Sequence, residues 1–152
     1  MNSMLRTLAV VSATALFAPA AMAASNGGAA GGDPERGEKL FKKCAACHKV
    51  GPNAKNAAGP LLNNVIGRTA GTSEGFKYSK SMIQAGEKGL VWDETLIASF
   101  IENPKKFLQE YLDDPKAKSR MSAKVKKEGD RKDLAAFIAT FSESEGQAEA
   151  SQ

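Results

Sequence analysis

The feature that most constrains this chain is the pentapeptide Cys44-Ala45-Ala46-Cys47-His48, which holds both cysteines and the only histidine of the 152 residues. Two thiols three positions apart on one helical turn can each bond a vinyl group of the same porphyrin. The residue that follows them then places its imidazole beneath the iron. The motif therefore predicts one haem c, covalent through Cys44 and Cys47, with His48 as an axial ligand.

Three other sites could use the same residues. A thioredoxin-like dithiol belongs to a βαβ unit, and the sequence has no such pattern. A structural zinc site uses four Cys or His ligands, whereas this chain offers three. A simple disulfide would leave the adjacent His48 without a role. A haem is therefore the favoured interpretation, and a dithiol module without cofactor is the alternative.

The first residues predict export. Arg6 precedes an apolar stretch at 8–20, and Ala21-Met22-Ala23 has the small-x-small pattern of a cleavage site. The stretch is shorter than the roughly 20 residues of a spanning helix, so a retained anchor is the less favoured alternative. We expect a bacterial periplasmic protein with four parts: a signal peptide (1–23), a flexible linker (24–32), a folded domain (33–141) and an acidic disordered tail (142–152).

Helical signals dominate the folded part. Asp33-Pro34 combines a capping residue with proline at the first helical position, and predicts a helix that reaches the Cys motif. Asp93 and Asp130 are expected to begin two more helices, the first of which Asn103-Pro104 ends, and a shorter helix is expected around 79–84. No alternating run is long enough for a sheet, so the predicted class is all-α.

The charge of the chain limits its partners. Without residues 1–23 it holds 20 Lys and Arg against 17 Asp and Glu, a net charge of +3. The segment 33–141 alone carries +6, because three of the glutamates lie in the tail. No long run of bases interleaved with aromatic residues appears, which argues against nucleic acid. An acidic protein surface fits better.

The sequence resembles the class I cytochromes c, closest to the bacterial cytochromes c2 and c-550 and to mitochondrial cytochrome c, over about 33–141. Besides the Cys motif, the residues that carry the resemblance are Gly37, Phe41, Gly59-Pro60, Gly67-Arg68, Gly75-Phe76-Lys77-Tyr78, Trp92, Glu102-Asn103-Pro104-Lys105-Lys106, Met121 and the last helix. The resemblance implies loops wrapped around one haem. It also implies crossed first and last helices, where Gly37 and Phe41 meet Leu134 and Phe137.

The resemblance also implies roles for individual residues. The carbonyl of Pro60 would accept the Nδ1–H of His48. A set of three donors would surround a haem propionate: Arg68, Tyr78 and Trp92. The alternative makes the two aromatics ordinary core residues and Arg68 a surface base.

The sixth iron ligand is expected to be a methionine, because His48 is the only histidine. Only Met82 and Met121 lie outside the predicted signal peptide. Met82 falls on the apolar face of a short helix and is expected to fill the core. Met121 lies in an irregular segment before the last helix, where the family carries its ligand.

The expected function is single-electron transfer between membrane or periplasmic redox complexes, by a monomer that is not an enzyme and does not insert stably into a membrane. Its partners would be acidic-faced redox proteins that dock transiently on the bases near the exposed haem edge: Lys43, Lys105, Lys106, Arg120, Lys124, Lys126 and Lys127. A ligand-binding sensor and a subunit of a larger redox complex are the alternatives.

The chain departs from the family pattern in two places. Phe100 stands where the family usually has a tyrosine near the methionine ligand, so a hydrogen bond to the sulfur is not expected. The segment 108–118 is longer than in the mitochondrial form, which leaves its loop geometry open.

Overall fold

The computed structural model describes residues 31–142. Their α-helices are α1 (Pro34–Phe41), α2 (Lys80–Glu87), α3 (Glu94–Glu102), α4 (Pro104–Leu112) and α5 (Glu128–Ala139). Within this segment, β-pairing is confined to one antiparallel bridge between Thr69 and Val91. The all-α prediction is therefore confirmed. None of these helices is long and apolar enough to cross a membrane. The predicted signal peptide, most of the linker and the tail beyond residue 142 lie outside the described residues.

Helix α1 begins where the sequence predicts. The Asp33 side chain accepts the N–H groups of Glu35 and Arg36, and Pro34 occupies the first turn, where no N–H is needed. Beyond Phe41, turns continue the chain through the Cys motif. The N–H groups of Cys44 and Ala45 both donate to the Phe41 carbonyl, at 2.7 and 2.9 Å. The predicted helix therefore leads directly into the motif.

The crossing of α1 and α5 has the predicted residues at its centre. A methyl group on Gly37 would lie 2.0 Å from the Asp133 carbonyl oxygen and 2.6 Å from Cβ of Phe137. Only glycine permits this approach, because any side chain would push the two helices apart. Beside it, the rings of Phe41 and Phe137 stand 5.3 Å apart. Leu134, the remaining residue of the predicted crossing, is buried in the same core.

A buried carboxylate at this crossing was not foreseen in the sequence. The side chain of Asp133 accepts the Asp33 N–H at 2.8 Å and pairs with Arg36 at 2.5 Å. Asp133 is 4% exposed, so these hydrogen bonds are needed to offset the cost of burying its charge. Gly32 is also buried, and a methyl group there would lie 2.1 Å from the Lys132 carbonyl oxygen. The packed body thus begins at Gly32.

Helix α4 corrects the interpretation of Asn103-Pro104. This pair ends α3 as predicted, but the Asn103 side chain also accepts the Lys106 N–H and Pro104 is the first residue of a new helix. The helix ends at Asp113, which has a left-handed φ of 53°. The first part of the segment 108–118 is therefore helical. Pro104 can end one helix and begin the next because its fixed φ also favours the first helical turn.

Helix α5 begins two residues before Asp130, at Glu128, and its N-cap residue Lys127 makes no side-chain capping bond. The Arg131 guanidinium instead donates to the carbonyls of Val125 and Lys126 just before the helix, at 3.3 and 2.7 Å. Glu128 and Asp130 both lie in the first turn, where a negative charge is favourable. The predicted start at Asp130 is therefore wrong by two residues. The short helix α2 is also longer than predicted, and Ser79 caps it.

Candidate functional site

The Cys motif forms a tight turn that brings its three reactive side chains onto one short segment. The N–H groups of Cys47 and His48 both donate to the Cys44 carbonyl, at 3.0 and 2.9 Å. Neither thiol is in a disulfide: Cys44 is half-buried and Cys47 is exposed. The Lys49 ammonium donates to the Ala45 carbonyl at 2.5 Å and closes the outer side of the turn. Two free thiols and an imidazole thus share one turn.

His48 is held by Pro60 in the way the resemblance implies. The distance from Nδ1 of His48 to the Pro60 carbonyl oxygen is 2.8 Å. Since a carbonyl only accepts, Nδ1 carries the proton and Nε2 keeps its lone pair. Burial lowers the pKa of His48, and the bond to Pro60 partly opposes this effect. The neutral ring presents Nε2 as a metal ligand.

The loop that carries Pro60 is fastened to the Cys motif on both sides. Before Pro60, the Gly59 N–H donates to the Cys47 carbonyl at 2.8 Å; after it, the Leu62 N–H donates to the Lys49 carbonyl at 3.0 Å. Inside the loop, the Asn56 side chain accepts the Leu61 N–H. Because bonds on both sides fix the loop, the Pro60 carbonyl is positioned independently of the ring that it contacts.

Two asparagines that brace this region were missed from the sequence. Asn56 also donates to the Glu74 carbonyl at 2.8 Å, which joins the Pro60 loop to the next one. Asn63 both accepts the Gly51 N–H and donates to the Gly51 carbonyl, at 2.9 and 2.8 Å. Asparagine in a Gly-rich loop commonly bonds to nearby backbone, and this signal could have identified them.

Gly59 forms a cradle for the imidazole ring. A methyl group at Gly59 would lie 2.5 Å from Cε1 of His48 and 2.8 Å from each ring nitrogen. The ring therefore lies flat against backbone, in a place that any larger residue would fill. The observed donor set consists of two free thiols, a neutral imidazole and a carbonyl that fixes its tautomer. These residues fit the covalent haem c that the motif implies.

The state of Cys44 argues against a reactive dithiol. Burial raises the pKa of the Cys44 thiol, a negative charge on Cys47 would raise it further, and only Lys43 acts in the opposite direction. Redox-active dithiols instead have a lowered thiol pKa. This chemistry makes the dithiol alternative less favourable.

The structure brings the three predicted propionate donors into one region. The Trp92 N–H donates to the Arg68 carbonyl at 3.0 Å, so the two residues are backbone neighbours. The Arg68 guanidinium donates to the carbonyls of Asn63 and Leu61, each at 3.2 Å. Burial lowers the pKa of Arg68, and its interaction with Tyr78 opposes this effect. A half-buried cation is therefore held near the Tyr78 phenol, and its backbone is bonded to that of Trp92.

Trp92 is a core residue, as the alternative interpretation predicts, and its role as a propionate donor stays a prediction. It is buried, and its ring contacts Phe100 at 5.2 Å and Phe107 at 6.1 Å between centroids. Phe100 has no polar atom and packs edge-on against both rings. The position that departs from the family pattern is thus filled by an apolar cluster.

Met121 lies in an extended segment between α4 and α5. Its side chain is half-buried and packs against the core, whereas Met82 is buried on α2. The Ser119 hydroxyl accepts the Met121 N–H at 3.1 Å and donates to the Met121 carbonyl at 2.9 Å. The two methionines thus have the predicted placements, one in irregular backbone and one in a helix.

The predicted docking bases are all exposed. Two of them make specific contacts: Lys106 pairs with Glu110 at 3.5 Å, and Arg120 donates to the Lys77 carbonyl at 2.5 Å. Exposed pairs contribute little free energy, so the Lys106 charge stays largely available to a partner.

The family model described as cytochrome c matches residues 34–142. Cytochrome c2 of Cereibacter sphaeroides is 46% identical over 134 residues, which cover 82% of this chain and 91% of that protein. Cytochrome c-551 of Roseobacter denitrificans is 42% identical over 145 residues, with coverages of 91% and 97%.

Solved structures agree with these matches. The structure of cytochrome c2 from Rhodospirillum centenum superposes with a TM-score of 0.71 at 44% identity, covering 74% of this chain and 100% of that one. Cytochrome c-550 from Paracoccus versutus gives a TM-score of 0.67 at 37% identity, with coverages of 74% and 99%.

Proposed function

Because this chain belongs to the cytochrome c family, we propose that it carries single electrons in the bacterial periplasm, with His48 and Met121 as the two ligands of its haem iron. Membership of the family implies one covalently bound haem c. We assign its attachment to Cys44 and Cys47, the only cysteines of the chain. The group itself supplies an iron that accepts and releases one electron.

The observation that carries the proposal is the hydrogen bond from His48 to Pro60. By accepting the Nδ1 proton at 2.8 Å, Pro60 fixes the tautomer and orientation of the ring and raises the basicity of Nε2. Gly59 leaves the space in which the ring lies. A ligand held in this way does not have to reorganise when the charge on the metal changes.

Arg68, Tyr78 and Trp92 are proposed to hold a haem propionate. A carboxylate away from water needs hydrogen bonds or a counter-charge, and a half-buried guanidinium near the Tyr78 phenol supplies both. Two carbonyls already fix the guanidinium, so it loses little conformational freedom on binding the propionate.

Met121 is proposed as the sixth ligand because it lies in an irregular segment, which can bring its thioether over the second face of a haem. Met121→Ala should abolish the weak long-wavelength sulfur–iron band of the ferric protein. It should lower the reduction potential by about 0.1 V or more, within the roughly 0.8 V that axial ligands span. Spectra and potentiometry of the purified holoprotein measure both effects.

Met82→Leu is the matched control, because it replaces one buried apolar side chain by another of similar volume. It should leave the band and the potential unchanged. Loss of the band in the Met82 variant, with retention in Met121→Ala, would mean that the two methionines are assigned the wrong way round.

The relatives named above are cytochromes c2 and c-551, and this similarity supports the proposal of an electron carrier rather than an enzyme. We propose that export through residues 1–23 delivers the chain to the periplasm as a monomer. There, acidic-faced redox proteins or membrane complexes would dock transiently on its exposed bases.

A further inference from the structure

The segment that carries Met121 is tied to the region of α2 by two hydrogen bonds. The Lys118 N–H donates to the Ser81 hydroxyl oxygen at 3.0 Å. Two residues later, the Arg120 guanidinium donates to the Lys77 carbonyl at 2.5 Å. On the other side of Met121, the Val125 N–H donates to the Ile101 carbonyl at 2.8 Å. The stretch 118–125 is therefore attached to the body at both ends.

Of the two attachments to the region of α2, the one through Ser81 is the more buried. Ser81 is 9% exposed and lies in the first turn of α2, next to the core residue Met82. Ala117, the residue before the donor Lys118, is 1% exposed. Water competes less for a hydrogen bond in such surroundings, whereas it competes freely for the bond that the exposed Arg120 side chain makes.

We propose that Ser81 is a positioning residue for the sixth ligand: its hydroxyl holds Lys118, and through it keeps Met121 against the iron. The inference rests on the proposed function, since it takes Met121 as the ligand. A loop released at Lys118 has more freedom to move away, and the iron is then open to an external ligand. The affinity for that external ligand reports the fraction of molecules with an open loop.

The test uses imidazole binding to the ferric holoprotein, followed by loss of the sulfur–iron band. Ser81→Ala removes a hydrogen bond of about 1 kcal/mol, so imidazole should bind roughly fivefold more tightly. Exchange of the Lys118 amide hydrogen, measured by NMR, should accelerate in the same variant. Ser81→Thr keeps the hydroxyl and should restore both values toward those of the wild type.

Ser142→Ala is the matched control. The Ser142 hydroxyl also accepts a backbone N–H from a distant segment, that of Ile66 at 3.2 Å, but it has no contact with the Met121 segment. This variant should be destabilised to a similar extent without binding imidazole more tightly. The comparison separates positioning of the ligand from a general loss of stability.

Each outcome decides the question. Tighter imidazole binding in Ser81→Ala alone supports the inference. Equal tightening in both alanine variants, or faster Lys118 exchange with unchanged imidazole affinity, overturns it. The proposed function fails in a distinguishable way: the wild type itself would then lack the sulfur–iron band and bind imidazole without displacing a ligand.

Discussion

Gly59→Ala is expected to disturb His48, the proposed haem ligand, through a backbone position that lies against its ring. The added methyl would lie 2.5 Å from Cε1 of His48. Carbon atoms in contact keep about 3.5 Å apart, so the ring or the loop must move by about 1 Å. The bond from Nδ1 to Pro60 is 2.8 Å long, and a shift of that size away from the carbonyl breaks it.

The magnitude follows from three contributions. Overpacking costs about 1–3 kcal/mol, and the lost hydrogen bond about 1 kcal/mol. An alanine variant has a more restricted unfolded chain, which offsets about 0.4–1 kcal/mol of this loss of stability. The free energy of unfolding should therefore fall by about 1–3.5 kcal/mol. The reduction potential should rise, because an imidazole without its acceptor donates less electron density to iron.

Denaturant unfolding followed by haem absorbance, together with potentiometry, measures both effects on the holoprotein. Gly129→Ala is the matched control: a methyl there would have one neighbour within 4 Å, an Arg36 nitrogen at 3.8 Å. It should leave the potential unchanged and stability equal or slightly higher. If Gly59→Ala retained the unfolding midpoint and potential of the wild type, the cradle argument would be refuted.

Two further predictions concern charged residues. Asp133→Ala should lower the free energy of unfolding by about 2–3 kcal/mol, because it removes the acceptor of the Asp33 N–H and of Arg36. Arg36→Ala should lower it by about 1 kcal/mol or less, since that side chain is mostly exposed. Chemical denaturation compares the two variants, and equal effects would contradict this ranking. Reversing Lys105 and Lys106 to Glu should slow oxidation by the anion ferricyanide up to about tenfold at low salt and flatten its salt dependence, while arginines at both positions should preserve the rate. Stopped-flow rates that are unchanged by the charge reversal would mean that these bases lie far from the haem edge.

The parts of the fold that could be predicted are those with a local cause. Asp33-Pro34 specifies the start of α1 through its own side chain and ring, and the spacing of Cys44, Cys47 and His48 specifies the cofactor. Helix α4 was missed because Pro104 was interpreted only as a helix end. Pro104 also begins a helix here because the Asn103 side chain caps that helix.

The parts that could not be predicted depend on partners far away in sequence. Asp133 looks like any polar residue of an amphipathic helix until α1 is packed on it, since its acceptor role joins residues 100 positions apart. Ser81 likewise resembles an ordinary helical serine, and only the fold places Lys118 beside it. Periodicity reports which face is buried, and it does not report which polar group lies opposite.

The contact between α1 and α5 has a consequence for how the protein is made. Helix α1 has eight residues, too few to be stable alone in water, and its buried face is completed by residues synthesised about a hundred positions later. The two thiols therefore lie on poorly ordered backbone until α5 has packed on α1. Closure of this long loop is slow compared with local helix formation. Until then the thiols remain accessible for bonding to the cofactor, and packing of the last helix ends that interval.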